Sequence, residues 1–320
     1  MGSAICTLFD GSYHVGLAAL TNSLCRQGYT GTIYAGYRGP LPPWALGSDE
    51  AASQASPIEY RVNNDVQIRF LQVATSNHLT NYKPDFMLRL LEEDAVQDEG
   101  LFYFDPDLTV ATRWSFFEKW TKGGVALCED VNSPLARNHP RRVAWRDFFR
   151  LHGFSLGFEE ETYVNGGCVG IRRENLLFVE TWRDLQIAMA KEIGGLSSSK
   201  LGGGTSEQMR DPHFHFSASD QDALNATVEV LPKVPLAILG SDAMGFRSGC
   251  AILPHALGVP KPWNKQYLRE ALGGHPPTLA DKGFWSSVDG CIKPLRKTEV
   301  FWGKLSMRTA SLLGRFYRRS

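Results

Sequence analysis

Residues 4 to 37 constrain the fold more than any other segment. Ala4-Ile-Cys-Thr-Leu-Phe9 is an apolar run of strand length, and Gly31 to Tyr37 is a second. Between them, Val15 to Arg26 places Val15, Leu17, Ala18, Leu20 and Leu24 at helical spacing and stops before Gly28. A strand, a crossover helix and a second strand within about 35 residues make the βαβ unit that begins a parallel sheet. The expected fold class is therefore α/β, a mostly parallel central sheet flanked by helices, with ligands at the carboxyl ends of the strands.

The rest of the chain continues the alternation. Pro40 to Pro57 has loop composition. Val66 to Ala74, Leu101 to Phe104, Val125 to Cys128 and Tyr163 to Ile171 read as strands. Lys83 to Glu93, Arg113 to Lys122, Arg142 to Arg150 and Arg173 to Glu192 read as helices. Gly194 to Ser219 is Gly/Ser-rich, which predicts a mobile loop able to close over a ligand. No internal repeat of about 20 to 50 residues is present, which excludes a solenoid or propeller.

At 320 residues and 43% hydrophobic content, the chain is long enough for one large core. The organisation expected is a catalytic domain over residues 1–275 and a basic extension over 276–320. Net charge is zero, so no global field calls for nucleic acid. Six scattered cysteines without a CxxC spacing suit a reducing compartment. A missing basic leader, and the lack of any apolar run near about 18 residues, predict a cytoplasmic protein that does not span a membrane.

The sharpest local signal is Phe102-Tyr-Phe-Asp105-Pro-Asp107, two carboxylates at i and i+2 directly after an apolar strand. Side chains two apart on an extended chain share a side, so both can face one hard cation. Pro106 has no N–H for a central ladder, which puts the pair in the loop after the strand. By itself the pattern reads equally as an acidic turn. The second constellation is His255-Ala-Leu-Gly258-Val-Pro-Lys261-Pro262-Trp263, following the strand-like Cys250 to Leu253. His255 offers a third ligand for a divalent ion, Lys261 a cation for a diphosphate, and Gly258 a tight backbone between them. Each of these residues also has an ordinary packing reading.

Together these segments resemble glycosyltransferase family 8, retaining enzymes of the GT-A fold that include glycogenin and bacterial lipopolysaccharide galactosyl- and glucosyltransferases. The His-x-x-Gly-x-x-Lys-Pro-Trp element that ends the family's catalytic domain is matched at His255, Gly258, Lys261, Pro262 and Trp263. The resemblance covers roughly residues 4 to 265 and implies a metal set of Asp105, Asp107 and His255 holding Mn²⁺ or Mg²⁺. It implies a UDP-sugar donor and a glycan or lipid-linked acceptor. Tyr163-Val-Asn165-Gly-Gly167 resembles the segment whose Asn lines the sugar pocket. Ser219-Asp220-Gln221-Asp222-Ala-Leu-Asn225 resembles the stretch beside the anomeric carbon, so that Asp220 or Gln221 would face the reacting centre. Asp130 resembles an acidic position used on sugar hydroxyls. Leu8, Asp10 and Tyr13 fall where the family reads uracil and ribose, although Leu8-Phe-Asp10 departs from the usual Thr-Asp or Asn-Asp pattern. Lys83 would reach the nucleotide or simply begin its helix.

Bottom-up, the Ser219 stretch also reads as a capped helix start, with Ser219 as N-cap and acidic residues on the positive end of the helix. A nucleotidyltransferase is a second enzyme reading, but no Gly-rich basic loop follows the first strand. A catalytically silent carbohydrate- or nucleotide-binding protein of the same fold is the reading from another class.

The last stretch breaks the charge balance, with eight Lys or Arg against one Glu from Lys293 to Ser320. From Thr298 onward, Trp302, Leu305, Thr309, Leu312, Leu313 and Phe316 share one helical face, while Lys304, Arg308, Ser311, Arg315 and Arg318 share another. Two readings stay open: a terminal helix packed on the domain, or a peripheral helix docked on an anionic cytoplasmic leaflet.

Overall fold

The computed structural model describes residues 2–46, 57–157, 161–199, 214–216 and 218–316. Its strands are β1 (Ser3–Asp10), β2 (Gly31–Arg38), β3 (Ile58–Arg61), β4 (Val66–Gln72), β5 (Gly100–Phe104), β6 (Val125–Glu129), β7 (Val164–Arg172) and β8 (Leu236–Leu239). Its helices are α1 (His14–Arg26), α2 (Lys83–Arg89), α3 (Trp114–Trp120), α4 (Pro140–Leu151), α5 (Leu176–Met189), α6 (Ser219–Val230), α7 (Tyr267–Leu272), α8 (Leu279–Ser287) and α9 (Lys297–Leu313). The strands form one sheet in the order β3-β4-β2-β1-β5-β7-β6-β8. Along β1-β5-β7-β6-β8 only β7 runs against the others, and along β3-β4-β2 only β3 does. The fold is the helix-flanked α/β sheet expected.

Local signals account for most of these elements. The apolar runs at β1, β5, β6 and β7 are buried almost throughout, as strands covered on both faces must be. β3 and β8 are short, half-exposed edge strands that the sequence reading does not assign: β3 has no apolar run, and β8 is an apolar run of only four residues. Two readings are corrected. Cys250 to Leu253 is not a strand: the segment ends at Pro254 and makes isolated backbone hydrogen bonds with Ala243 and Ala111. Ser219 is not the N-cap of α6, since its hydroxyl is committed to Asn81 Oδ1 at 2.6 Å and the helix's first turn is held instead by Asp222. Of the loops expected at Pro40 to Pro57 and Gly194 to Ser219, residues 47–56, 200–213 and 217 lie outside the described residues.

The chain divides into two compact units. One comprises Met1–Leu8, Val73–Phe104 and Phe117–Ser241. Its core joins Phe102, Phe104, Phe117 and Trp120 through one stacked ring pair, Phe102–Phe104, and edge-on or tilted contacts among the rest. Gly170 admits this cluster, because a Cβ there would lie 2.2 Å from the Phe102 ring. Asn225 of α6 ties that helix to β7, its amide accepting from Val164 N at 2.7 Å and donating to Val164 O at 2.9 Å. Its side chain thus extends the backbone pairing of β7 to a helix.

The other unit comprises Phe9–Gln72, Asp105–Phe116 and Asp242–Ser320. Val15 and Ala19 of α1 share one core with Tyr267, Ala271, Phe284, Trp285, Val288, Val300, Met307 and Ala310. Asn22 of α1 reinforces this packing by donating to the carbonyls of Ser287 and Ile292 and accepting from Ile292 N. Helix α9 approaches closely at Gly303, where a Cβ would lie 2.0 Å from the Trp285 ring.

Candidate active site

In the second unit, the chain leaves β5 at Phe104 and turns through Asp105-Pro106-Asp107, where the strand was expected to end. Leu108 then forms an antiparallel bridge with His255, flanked by hydrogen bonds from Thr109 N to Pro254 O and from Ala256 N to Asp107 O. This backbone pairing sets His255 Nε2 3.2 Å from Asp107 Oδ1 and 3.7 Å from Asp105 Oδ2. One ligand atom from each of Asp105, Asp107 and His255 lies within 4.8 Å of the others. Two carboxylate oxygens and an imidazole nitrogen form a donor set suited to a divalent cation of the manganese or magnesium kind. The three residues expected as ligands are therefore brought together.

Close approach at this turn depends on Gly16 of α1. A Cβ there would sit 2.4 Å from the Pro106 carbonyl oxygen and 2.9 Å from the Trp263 ring. Gly258 has φ of +68°, a left-handed conformation that favours glycine, and it turns the chain between His255 and Lys261. Lys261 Nζ then lies 2.5 Å from Asp107 Oδ2 and 2.7 Å from Ala256 O. Tyr13 completes the surroundings, its ring centroid 5.6 Å from Lys261 Nζ and edge-on to Trp263 at 5.7 Å.

The electrostatics follow from burial and partners. Burial pushes the Asp107 carboxyl upward, but His255 and Lys261 outweigh it and hold the group well below the usual carboxylate range. Burial would lower Lys261, yet Asp107 keeps its ammonium above the ordinary lysine value. Burial also raises the Tyr13 phenol, against the pull of Lys261. Asp10, half-exposed, receives Arg38 Nη2 at 3.1 Å.

In the first unit, a second polar group assembles at the start of α6. Lys83, first residue of α2, is buried with Nζ 3.1 Å from Asp220 Oδ2 and 2.9 Å from Gly166 O, and it lies 5.1 Å from the Tyr103 ring centroid. Gln221 Oε1 accepts from Gly166 N at 3.1 Å. Asn165 donates to Asp130 Oδ2 at 2.6 Å, and Asp130 Oδ1 accepts from Asn132 N and Nδ2. Asp130, Asn165, Asp220, Gln221 and Lys83 are thus neighbours through the Asn165-Gly166-Gly167 segment. Leu8 is buried in β1.

Sequence reasoning read Asp222 only as an acidic residue at the start of a helix and missed its partners. Asp222 is fully buried and accepts from Arg141 Nη2 at 2.6 Å, Tyr163 Oη at 2.8 Å and Ala218 N at 2.9 Å. Burial raises its carboxyl despite Arg141. It fixes the first turn of α6, which carries Asp220 and Gln221. The basic run Arg141-Arg142 beside an aromatic, Trp145, was the available signal, and it named no partner.

No protein-family model and no curated protein matches the chain. Solved structures do match. The apo structure of WbbM, a bifunctional glycosyltransferase, superposes with a TM-score of 0.51 at 12% identity, covering 94% of this chain and 51% of that one. The crystal structure of the glycosyltransferase GlyE from Streptococcus pneumoniae TIGR4 matches at a TM-score of 0.49 and 16% identity, covering 97% of this chain and 64% of that one. The chain therefore spans about half to just under two thirds of the length of these structures. At such identity the likeness to WbbM is one of fold, and the fold is one that a glycosyltransferase uses.

Proposed function

We propose that the protein is a metal-dependent GT-A glycosyltransferase that moves a hexose from a nucleotide sugar, a UDP-sugar first among them, to a glycan or lipid-linked acceptor. The observation that carries this reading is the convergence of Asp105, Asp107 and His255 with Lys261 beside them. The family 8 resemblance supplies the retaining outcome, and the WbbM likeness is compatible with the transferase class.

Bound by those three residues, Mn²⁺ or Mg²⁺ would neutralise the diphosphate that leaves when the glycosidic bond breaks. Asp107 serves this role because its neighbours hold it ionised. Lys261 keeps a full positive charge for the diphosphate oxygens. Tyr13 offers an aromatic face, and Asp10 a half-exposed acceptor, to the nucleoside. Gly258 lets the backbone turn between His255 and Lys261. The resemblance alone assigns Asp130 and Asn165 to the sugar, Lys83 to the nucleotide, and Asp220 or Gln221 to the reacting carbon.

The test is Mn²⁺-dependent UDP release from a panel of UDP-sugars by wild type, Asp107→Asn and His255→Ala. Turnover of one donor, abolished in both variants, is the expected result. Metal-dependent UDP binding without turnover would favour the silent binding protein. Absence of both would end the transferase reading.

A further inference from the structure

We infer that the outward face of α9 is a docking surface for an anionic lipid bilayer. The helix is apolar on two opposite sides. At about 100° per residue, Val300, Gly303, Met307 and Ala310 share one side, and that side is consumed by packing against α7 and α8. Phe301, Trp302, Leu305 and Leu312 lie on the other side, 60%, 65%, 44% and 54% exposed, and Phe316 follows in the next turn at 87%. Scattered exposed apolar residues need no explanation, but five on one continuous face, two of them phenylalanine and one tryptophan, mark a surface that meets something.

Charge identifies the partner. Lys297, Lys304, Arg308 and Arg315 run along one flank of the apolar stripe, and Glu299 projects to its other side. A second copy of the chain would bring this predominantly basic segment against itself. An anionic bilayer instead neutralises the basic flank while the aromatic and leucine side chains enter the headgroup boundary. Among the described residues no helix is long and apolar enough to cross a membrane, so α9 would lie along the surface. The packed helix and the membrane helix, which compete as readings of the sequence, are two faces of the same element. The inference is read from α9 alone and does not require glycosyl transfer, although it would bring a transferase to a lipid-linked acceptor.

The experiment is co-sedimentation of the full chain with vesicles of phosphatidylcholine alone and of phosphatidylcholine mixed with phosphatidylglycerol. The variants are a Phe301→Ser, Trp302→Ser, Leu305→Ser triple and an Arg308→Glu, Arg315→Glu double, all at exposed positions. Wild type should bind the anionic vesicles at least about tenfold more tightly than the neutral ones, with binding that weakens as salt rises. Each variant should lose at least about tenfold, with UDP release in the absence of acceptor unchanged. Equal partition to both vesicle types, or variants that bind as wild type does, would overturn the inference. So would a wild-type dimer in sedimentation equilibrium that the triple variant abolishes, because the face would then belong to a second copy. Lipid binding by a chain that releases no UDP would sustain the inference while sinking the transferase reading.

Discussion

Lys261 Nζ lies 2.5 Å from Asp107 Oδ2, and His255 Nε2 lies 3.2 Å from the other oxygen of the same carboxylate. Both side chains of the Lys261–Asp107 pair are largely withdrawn from water. Breaking such a pair strands the remaining charge, which costs more than the pair itself contributes. Lys261→Met should therefore lower the unfolding free energy by about 3 kcal/mol, read from urea titrations. A loss indistinguishable from zero would mean that the pair is as screened as a surface one.

Asp107 also sets a pH dependence. Its carboxyl is held below the ordinary carboxylate value in the folded chain, so the native state binds that proton less readily than the unfolded chain does. The stability this contributes is complete above about pH 3.9, the unfolded value, and disappears as pH falls from there toward the folded value. The stability gap between wild type and Asp107→Asn should be largest near neutrality and narrow on acidification. A gap constant from pH 7 to pH 3 would contradict the electrostatic account.

Metal affinity offers a check separate from turnover. By titration calorimetry with Mn²⁺, Asp105→Asn, Asp107→Asn and His255→Ala should each weaken binding by more than about tenfold, as expected when one of three protein ligands is lost. Asp10→Asn, at a carboxylate paired with Arg38 instead, should leave it unchanged. A variant series with no ordering of this kind would break the assignment of ligands.

Gly16 should resist substitution although it sits in a helix. Alanine would ordinarily stabilise a helix interior by about 1 kcal/mol. Here its methyl would meet the Pro106 carbonyl at 2.4 Å, a backbone atom that cannot swing aside. Overpacking of this kind costs about 1–3 kcal/mol and displaces what it touches. Gly16→Ala should thus be destabilised by thermal melting and bind Mn²⁺ more weakly; a more stable variant would show that the turn can yield.

In the other unit, Lys83 and Asp220 are joined across a buried 3.1 Å contact. A double-mutant cycle of Lys83→Met and Asp220→Asn should give a coupling energy above about 1 kcal/mol in unfolding experiments, since each single change strands the other group. Additive effects would mean that the two act independently.

Periodicity and punctuation determined the elements. The apolar runs of β1, β5 and β7, the helical spacing of α1 and the Pro106 break after β5 are properties of neighbouring residues, legible wherever the chain goes. The convergence of Asp105, Asp107 and His255 was legible through the motifs around them. What the tertiary structure decided is partnership. The Leu108–His255 bridge, the seating of Pro106 against Gly16, and Lys83 finding Asp220 all join residues far apart in sequence, and no local pattern encodes which distant group a chain will meet. Ser219 shows the same limit, since Asn81 took the hydroxyl that local chemistry assigned to a cap. In α9 the sequence carried one strongly apolar face, around Trp302, Leu305 and Leu312, and a second of smaller residues, Val300, Gly303, Met307 and Ala310. Only packing against Phe284 and Trp285 selected the one around Val300 and Met307, because burial is settled by the shape of the neighbouring surface and not by hydrophobicity alone.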